Sequence, residues 1–600
     1  MSRVVDAVRS FWRAMRLLVT SSIRVAPWQA VLCLAETSGV LLQLLQPLCL
    51  AWFVAGAVAH DTSLMALAAG AFVAQIAVGR ALIWLGMNAR AGQLERVSCA
   101  FDARIAEITA SVPTIEHLDD PHYLDQLQIM REERGSLGLA VNTLLNSLSG
   151  MAGVVGVIAL AATADWRMLL VAVAGIPGVL VGPLLARWQG RSEAAGAEPG
   201  RLAAHLMQVG SSPAGAGEIR VFGLADPLRS RLAAATRAWW APKVGLAVRE
   251  SVVNIAVQVV FYGAAGAVLA LLVRDAIAGP VSVAELTLAL LLVGRLQGVS
   301  GSLRGIIHDV AAMTRTAGRF LWLVDETARI RAAHAGRDTP PATLRDELVL
   351  DRVTYRYPRH ERPALEDVSL TLPAGRVIAL VGENGAGKTT LVNLITGMLT
   401  PTSGSIRLDG VDLASLDPAG WRSRLAGAFQ DHVRFEFHLR ETVGIGDLPA
   451  RDDESVVRRA IQAGAAEAVL TSIPRGLDTQ LGVTWPGGVD LSGGQWQRLA
   501  IARGMMRGTP LIRILDEPTA ALDAATEHEL FDRYTQAAKA GRDTGTITIL
   551  VTHRFSTVAA ADHVVVLDRG RVIEQGTHTE LIARGGHYSE LYELQARGYR

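Results

Sequence analysis

Residues Gly382-Glu383-Asn384-Gly385-Ala386-Gly387-Lys388-Thr389, followed by Thr390, carry the spacing G-x-x-x-x-G-K-T. Glycines at those intervals let backbone N–H groups close around phosphate oxygens, the lysine reaches the β- and γ-phosphates, and the threonine hydroxyl can hold Mg²⁺. The chemistry in view is binding of a nucleoside triphosphate. A second acidic element is Ile512-Arg513-Ile514-Leu515-Asp516-Glu517, an apolar run ending in two carboxylates. Asp516 there can hold Mg²⁺ through water and Glu517 can polarise an attacking water, because phosphoryl transfer depends on positioning and charge compensation. Arg513 interrupts the run, and its head is expected to snorkel to the domain surface.

Elements must exist to hold these residues in place. The run Val377-Ile378-Ala379-Leu380-Val381 predicts a strand that feeds the glycine loop, and Thr390 to Met398 a helix after it, which sets the positive end of the helix dipole against the phosphates. The pattern from 347 to 600 is that of a soluble α/β domain. Residues 327–346, with Arg337-Asp338-Thr339-Pro340-Pro341, break the preceding apolar pattern and are expected to form a linker. The expected organisation is therefore a membrane domain over 1–326, the linker, and the α/β domain over 347–600.

The chain has 600 residues, is 50% hydrophobic and has a mean hydropathy of +0.28, too apolar for a soluble enzyme of that length. Apolar stretches near 28–58, 64–86, 137–162, 166–186, 252–273 and 282–303 are each long enough to cross about 30 Å of hydrocarbon as a helix. Six spans follow, with the lipid bilayer as solvent. The connections near 88–136 and 187–251 are long and rich in arginine, whereas the remaining ones are short, so both long loops and both termini are expected in the cytoplasm. A net charge of +1 gives no global reason to bind nucleic acid. Cys33, Cys49 and Cys99 are too scattered for a disulfide framework or a zinc cluster.

The pentapeptide Leu491-Ser492-Gly493-Gly494-Gln495, standing between the phosphate loop and Asp516-Glu517, resembles the signature of the ABC ATPases. With it the whole chain resembles an ABC half-transporter of the exporter type, a multidomain protein with an all-α six-helix transmembrane domain followed by an α/β P-loop ATPase domain. The resemblance implies ATP and Mg²⁺ as cofactors and ATP hydrolysis coupled to transport. It implies that Tyr357 stacks on the adenine, that Gln430 is the Q-loop residue sensing Mg²⁺ and the γ-phosphate, and that His553 is the switch histidine. It also implies that Ala521-Leu522-Asp523 is the D-loop crossing a dimer interface, and that Ser492, Gly493, Gly494 and Gln495 act on the phosphate loop of a second subunit. A homodimer or a heterodimer with another half-transporter completes the sites.

Two further segments, His117-Leu118-Asp119-Asp120-Pro121-His122-Tyr123 and Gly217-Glu218-Ile219-Arg220-Val221-Phe222-Gly223, resemble the surroundings of the helices that couple membrane and ATPase domains, with Glu218 and Arg220 the residues of the second. Before the signature the glutamates of many exporters are missing from Thr479-Gln480-Leu481-Gly482-Val483-Thr484-Trp485-Pro486-Gly487-Gly488, and together with Trp496 and Gln497 this is similar to the lantibiotic-type peptide exporters. The resemblance leaves peptide, drug and lipid cargo open, with peptide ahead. It also leaves open import of a siderophore-like cargo, or an ATP-gated membrane regulator. Inside the apolar stretches Glu36, Arg80 and Arg295 are costly in lipid and should face a cavity or one another, as a candidate cargo patch or as structural pairs.

Overall fold

The structure, a computed structural model, describes residues 2–132, 138–212, 215–516, 533, 542, 544–552 and 558–598. Its contacts divide it into two compact units, one of Met1–Ala106 with Gln128–Trp322, the other of Glu107–Leu127 with Leu323–Arg600.

The first unit is helical. Helices α1 (Ser2–Val25), α2 (Pro27–Leu42), α3 (Gln46–Val58), α4 (Thr62–Ala110), α5 (Pro121–Glu132), α6 (Ala140–Ala164), α7 (Met168–Ala174), α8 (Ile176–Leu180), α9 (Gly182–Ser211), α10 (Ala216–Val221), α11 (Ala225–Ala278) and α12 (Val283–Ala333) follow in order. Among the described residues they make six spans long and apolar enough to cross a membrane: Pro27–Val58, Thr62–Ala110, Asn142–Ala164, Met168–Ser211, Ala225–Ala278 and Val283–Ala333. At about 1.5 Å per residue, α4, α11 and α12 are each more than twice the hydrocarbon thickness, so a long part of each must lie outside lipid.

Sequence explains where these rods bend. Pro47 has no N–H to give Gln43, and a short 3₁₀ turn, Gln43–Leu45, separates α2 from α3. The Gln43 carbonyl left outside the α-helical ladder accepts from Arg295 Nη2 at 3.4 Å. Pro177 and Pro183 likewise divide one apolar span into α7, α8 and α9. Close crossings rest on small residues. A Cβ at Gly39 would lie 2.7 Å from the Gly79 carbonyl, and one at Gly86 would lie 2.4 Å from Glu36 Cβ, which brings α2 onto α4. Gly196 and Gly200, one turn apart on α9, make the notch for the Trp239 indole of α11. Leu292 and Leu296 of α12 pack with Phe261 and Leu272 of α11 and with Val157 and Ala161 of α6. In the connection after α6, Arg167 binds Asp165 and, through Nη1 at 2.7 Å, Asp275.

The second unit holds two sheets. Strands β1 (Glu347–Tyr355), β2 (Leu365–Pro373), β4 (Ser403–Leu408) and β5 (Val411–Asp412) pair antiparallel in the order β2-β1-β4-β5. Strands β3 (Val377–Val381), β6 (Leu425–Ala428), β7 (Ile512–Asp516), β8 (Ile547–Val551), β9 (His563–Asp568) and β10 (Arg571–Gly576) form the other, in the order β10-β9-β3-β8-β7-β6. All its pairs are parallel except β9 with β10. The apolar runs of β3, β7 and β8 suit strands covered on both faces. Helix α13 (Lys388–Ile395) packs Leu391 and Leu394 with Ile378, Leu380, Leu348 and Ile406, and the short α14 (Pro418–Ser423) adds Trp421 to the same cluster. A second cluster joins α15 (Leu439–Gly444), α16 (Glu454–Ala463), α17 (Glu467–Ser472) and α18 (Gly493–Gly504) around Trp496, Leu499 and Ile461.

Arg513 departs from the expectation of snorkelling. It is 5% exposed, because β7 lies between β6 and β8 with Arg513 opposite Ala426 and Thr548. Burial pushes its guanidinium pKa down.

Candidate functional site

Four neighbouring parallel strands decide where the chemistry gathers. In the order β3-β8-β7-β6, Leu380 stands opposite Val551, Val551 opposite Asp516, and Leu515 opposite Ala428, so the four carboxyl ends lie along one edge. The glycine loop leaves β3 at that edge, Asp516 ends β7 there, and Gln430 follows β6 by two residues. The carboxyl edge of parallel strands is where ligands bind in open α/β sheets. Glu517 follows Asp516 in sequence and His553 lies two residues beyond β8 in sequence; both, with the Ala521-Leu522-Asp523 segment, lie outside the described residues.

The loop fits a polyphosphate. Gly385 and Gly387 have φ of 84° and 102°, the left-handed region that glycine adopts without strain. A Cβ at Gly387 would sit 2.8 Å from the Ala364 carbonyl. Gly387 is also the N-cap of α13 and supplies no side-chain cap, so the helix start is left for an anion. Lys388 is 8% exposed and folds back on the loop, donating from Nζ to the carbonyls of Gly382 at 2.6 Å and Glu383 at 3.0 Å. That ammonium, beside exposed Glu383, Asn384 and Gly385, has the charge and the setting to receive phosphate oxygens. Ala386 is buried beneath the loop, Thr389 is exposed at the first turn and Thr390 is buried. Thr390 Oγ1 lies 3.2 Å from the Tyr357 hydroxyl, and the Tyr357 ring meets Tyr355 edge-on at 4.9 Å.

Signature residues have a local structural reason. Ser492 is the N-cap of α18, its Oγ accepting from Gln495 N at 3.3 Å while Gln495 Oε1 accepts from Ser492 N at 2.8 Å, a capping box. The glutamine thus fixes the turn that presents Gly493 and Gly494. This turn belongs to the helical cluster around Trp496, whereas the phosphate loop belongs to the cluster around Leu391.

The unusual segment before the signature folds against the chain that follows Gln430. Glu436 accepts from Thr484 Oγ1 at 2.7 Å and from the Trp485 indole at 3.1 Å, and its carbonyl accepts from Gln480 Nε2 at 2.7 Å. The carboxylate at this place comes from residue 436, not from within 479–488. Arg503 holds the same stretch, with its guanidinium 4.8 Å from the Phe435 ring centroid. Burial pushes the His432 pKa down, and a hydrogen bond to Gln430 backbone opposes it.

Of the two expected coupling segments, the first docks on the ATPase lobe within its own unit. Ile115 N donates to Met398 O at 2.9 Å, Thr400 N donates to Glu116 Oε1 at 2.7 Å, Arg422 donates to the Pro113 carbonyl, and Arg359 lies 3.9 Å from Asp120. His117 packs edge-on to Tyr123, and burial lowers its pKa from 6.5. Reading from His117 onward missed Pro113, Ile115 and Glu116, as well as their partners Thr400 and Arg422. The Glu116 carboxylate just before the aspartates was the available signal. In the second segment Glu218 and Arg220 lie exposed on α10, and Arg220 donates to its own helix at Ala216 O, 2.8 Å away.

The trio Glu36, Arg80 and Arg295 is not brought together. Glu36 pairs with Arg90 at 2.6 Å, and Arg90 also donates to Asn146 at 3.0 Å. The α2–α4 crossing sets Glu36 at the level of Gly86, one turn from Arg90, while Arg80 lies about 15 Å along the helix from Arg90. Arg295 donates to Gln46 Oε1 at 3.0 Å. Arg80 is exposed, with no ion-pair partner among the described residues.

Residues 365–520 match the family described as ABC transporter. That stretch carries the family's domain. The chain is 43% identical over 253 residues to a protein of Cupriavidus pinatubonensis named ATP-dependent lipid A-core flippase, covering 42% of this chain and 41% of that one. A Bordetella avium protein of the same name is 34% identical over 351 residues, 58% and 57% of the two chains. A multidrug efflux ATP-binding/permease protein of Mycobacterium bovis is 38% identical over 324 residues, 54% of this chain and 26% of that one. The match thus spans from about a quarter to somewhat over half the length of these relatives. Over 97% of this chain and 99% of the other, the fold is that of a bacterial Atm1-family ABC exporter solved with ATP bound, at a TM-score of 0.73 and 23% identity.

Proposed function

We propose that the chain is an ATP-driven exporter half-transporter that works as a dimer in the bacterial cytoplasmic membrane, with both termini cytoplasmic, and moves an amphiphilic lipid or drug-like cargo outward. The observation that carries this is the alignment of the phosphate loop, Asp516 and Gln430 along one sheet edge in a chain with six apolar spans. The names of the relatives put lipid and drug cargo ahead of the peptide suggested by segment 479–488, and they favour export over import.

In this reading Gly382 to Thr390 hold the triphosphate and Tyr357 the base. Thr389, Asp516 and Gln430 would hold Mg²⁺, which when bound neutralises charge on the transferring phosphoryl group. Glu517 accepts the proton of the attacking water, His553 steadies the γ-phosphate, and Gln430 reports its presence to the membrane unit. Ser492, Gly493, Gly494 and Gln495, with Asp523, face the phosphate loop of the second subunit. Glu218 and Arg220 serve coupling. Glu36 and Arg295 already have partners that stitch helices together, so Arg80 is the member of that trio assigned to meet the polar head of the cargo.

The test is ATP hydrolysis by the chain alone in lipid nanodiscs, beside Glu517→Gln. A working homodimer predicts hydrolysis reduced by at least about a hundredfold in the variant. Equal rates in the two would overturn the catalytic assignment. Hydrolysis that appears after a second half-transporter is added would make the dimer a heterodimer.

A further inference from the structure

The chain that leaves Gln430 and the chain that approaches the signature meet at one carboxylate. Glu436 stands six residues after Gln430. Its Oε2 accepts from Thr484 Oγ1 at 2.7 Å and from the Trp485 indole N–H at 3.1 Å. The two stretches also pair through their backbones, Leu439 N donating to Thr479 O and Leu481 N to Phe437 O, both at 3.0 Å. Gly482 has a φ of 92°, and a Cβ there would run into the Glu436 carboxyl carbon, so glycine is what lets the carboxylate enter this turn.

What Glu436 holds leads directly to Ser492. Loop 482–489 is closed at its base by Gly482 N donating to Val489 O and Val489 N to Gln480 O, each at 2.9 Å. Only Asp490 and Leu491 separate Val489 from Ser492, the N-cap of α18. The Trp485 side of the loop is 51% exposed, so burial alone does not fix it. A charged acceptor shared by two neutral donors is the stronger tie. At the other end of α18, Arg503 donates through Nη1 to Val433 O at 3.3 Å and lies over the Phe435 ring. Residues 433–436 therefore grip the signature helix twice, through Arg503 in its last turn and through Glu436 ahead of its first.

We propose that Glu436 is a positioning residue for ATP hydrolysis: through Thr484 and Trp485 it sets the turn of Ser492, Gly493 and Gly494 relative to the chain leaving Gln430. This rests on the reading above, in which that turn acts on the phosphate loop of the second subunit. The phosphate loop belongs to the other packed cluster, so nucleotide affinity does not depend on Glu436, whereas turnover does.

The test compares the native chain in lipid nanodiscs with Glu436→Ala, Glu436→Gln and the double variant Thr484→Val, Trp485→Phe. In Glu436→Ala, kcat should fall at least ~10-fold while KM for ATP stays within about twofold. Without nucleotide, its amides in 482–495 should exchange at least ~10-fold faster and those of 388–395 at the native rate. Glu436→Gln keeps an acceptor oxygen for both donors and should restore kcat to within about threefold. The double variant should match Glu436→Ala, and adding Glu436→Ala to it should lower kcat less than about twofold further. Native kcat in Glu436→Ala, or faster exchange in both clusters, would overturn the positioning role. Losses that multiply would overturn the route through Thr484 and Trp485. If the native chain hydrolyses ATP no faster than Glu517→Gln, the hydrolysis reading fails by itself. The exchange arm then decides alone, and unchanged exchange at 491–495 in Glu436→Ala would overturn the hold of Glu436 on the signature turn.

Discussion

Two segments that the sequence marks alike, as expected coupling segments, end up in opposite circumstances. Residues 113–123 are docked: Tyr123 is 2% exposed, Ile115 and Glu116 each hold a backbone group of the ATPase lobe, and Arg422 reaches the Pro113 carbonyl. Residues 217–223 leave Val221 80% and Phe222 68% exposed, beside the charged Glu218 and Arg220. Large apolar side chains set among charges on a surface mark an interaction site more often than a solvated helix end. The difference teaches that one segment has its partner inside the chain, whereas the other shows an apolar face set among charges, which the dimer proposed above would cover with its second subunit.

The sharpest way to break that contrast is to change the exposed segment. Removing an aromatic anchor from an interface typically costs at least about 2 kcal/mol, roughly 30-fold in association. Phe222→Ala and Arg220→Glu are therefore expected to abolish ATP-dependent accumulation of a fluorescent amphiphile in inside-out vesicles while basal hydrolysis stays within about twofold. Full transport by both variants, with normal assembly, would leave 217–223 an ordinary helix end.

The docked segment should respond locally. Glu116→Ala removes a charged acceptor and leaves the Thr400 N–H without its partner, a loss of about 1–2 kcal/mol. Amides of 113–120 and 396–400 should then exchange about tenfold faster, and those of 217–223 at their former rate. Uniform acceleration in both segments would mean that the change had loosened the whole fold.

A smaller effect follows from His117. Burial lowers its pKa below 6.5, so it binds its proton less readily docked than undocked. Above 6.5 both states are neutral and pH has no hold on the contact through this residue. As pH falls through 6.5, the undocked state takes up the proton first and docking weakens. After correction for the intrinsic chemical rate, amides of 113–123 should exchange faster over that window in the native chain and show no such change in His117→Asn. A window unaltered by His117→Asn would assign the titration to another group.

Legibility in the sequence followed the range of the interactions. The phosphate loop, its strand and its helix are consecutive, and their glycines, lysine and apolar runs specify a local geometry that needs no knowledge of the rest of the fold. The alignment of Asp516 and Gln430 with that loop required the strand order, which their motifs imply and the register displays. Where partners are distant in sequence, spacing failed. Glu36 was read with Arg80 and Arg295, but the Gly39, Gly79 and Gly86 contacts slide α4 until Arg90 is the basic residue beside it. Arg513 looked like a snorkelling intruder because its burial depends on β6 and β8, which lie about ninety residues before it and about thirty after. Thr400 and Arg422 carry no motif at all; they matter because the segment 113–116 lands on them.

The smallest expected effect concerns the edge of the docked segment, where Arg359 and Asp120 stand 3.9 Å apart with 67% and 47% of their side chains exposed. An exposed pair at that distance gains little over hydration and is screened by salt, so Arg359→Ala should change docking by less than about 0.5 kcal/mol. The hydrogen bonds of Ile115 and Glu116, and not the exposed ion pair, are then what hold the segment. Exchange rates in 113–120 that are indistinguishable between Arg359→Ala and the native chain, at both low and high salt, are the expected result. A tenfold change at low salt that disappears at high salt would reverse the ranking and make the docked segment an electrostatic contact, closer in kind to the charged helix of 217–223 than its burial suggests.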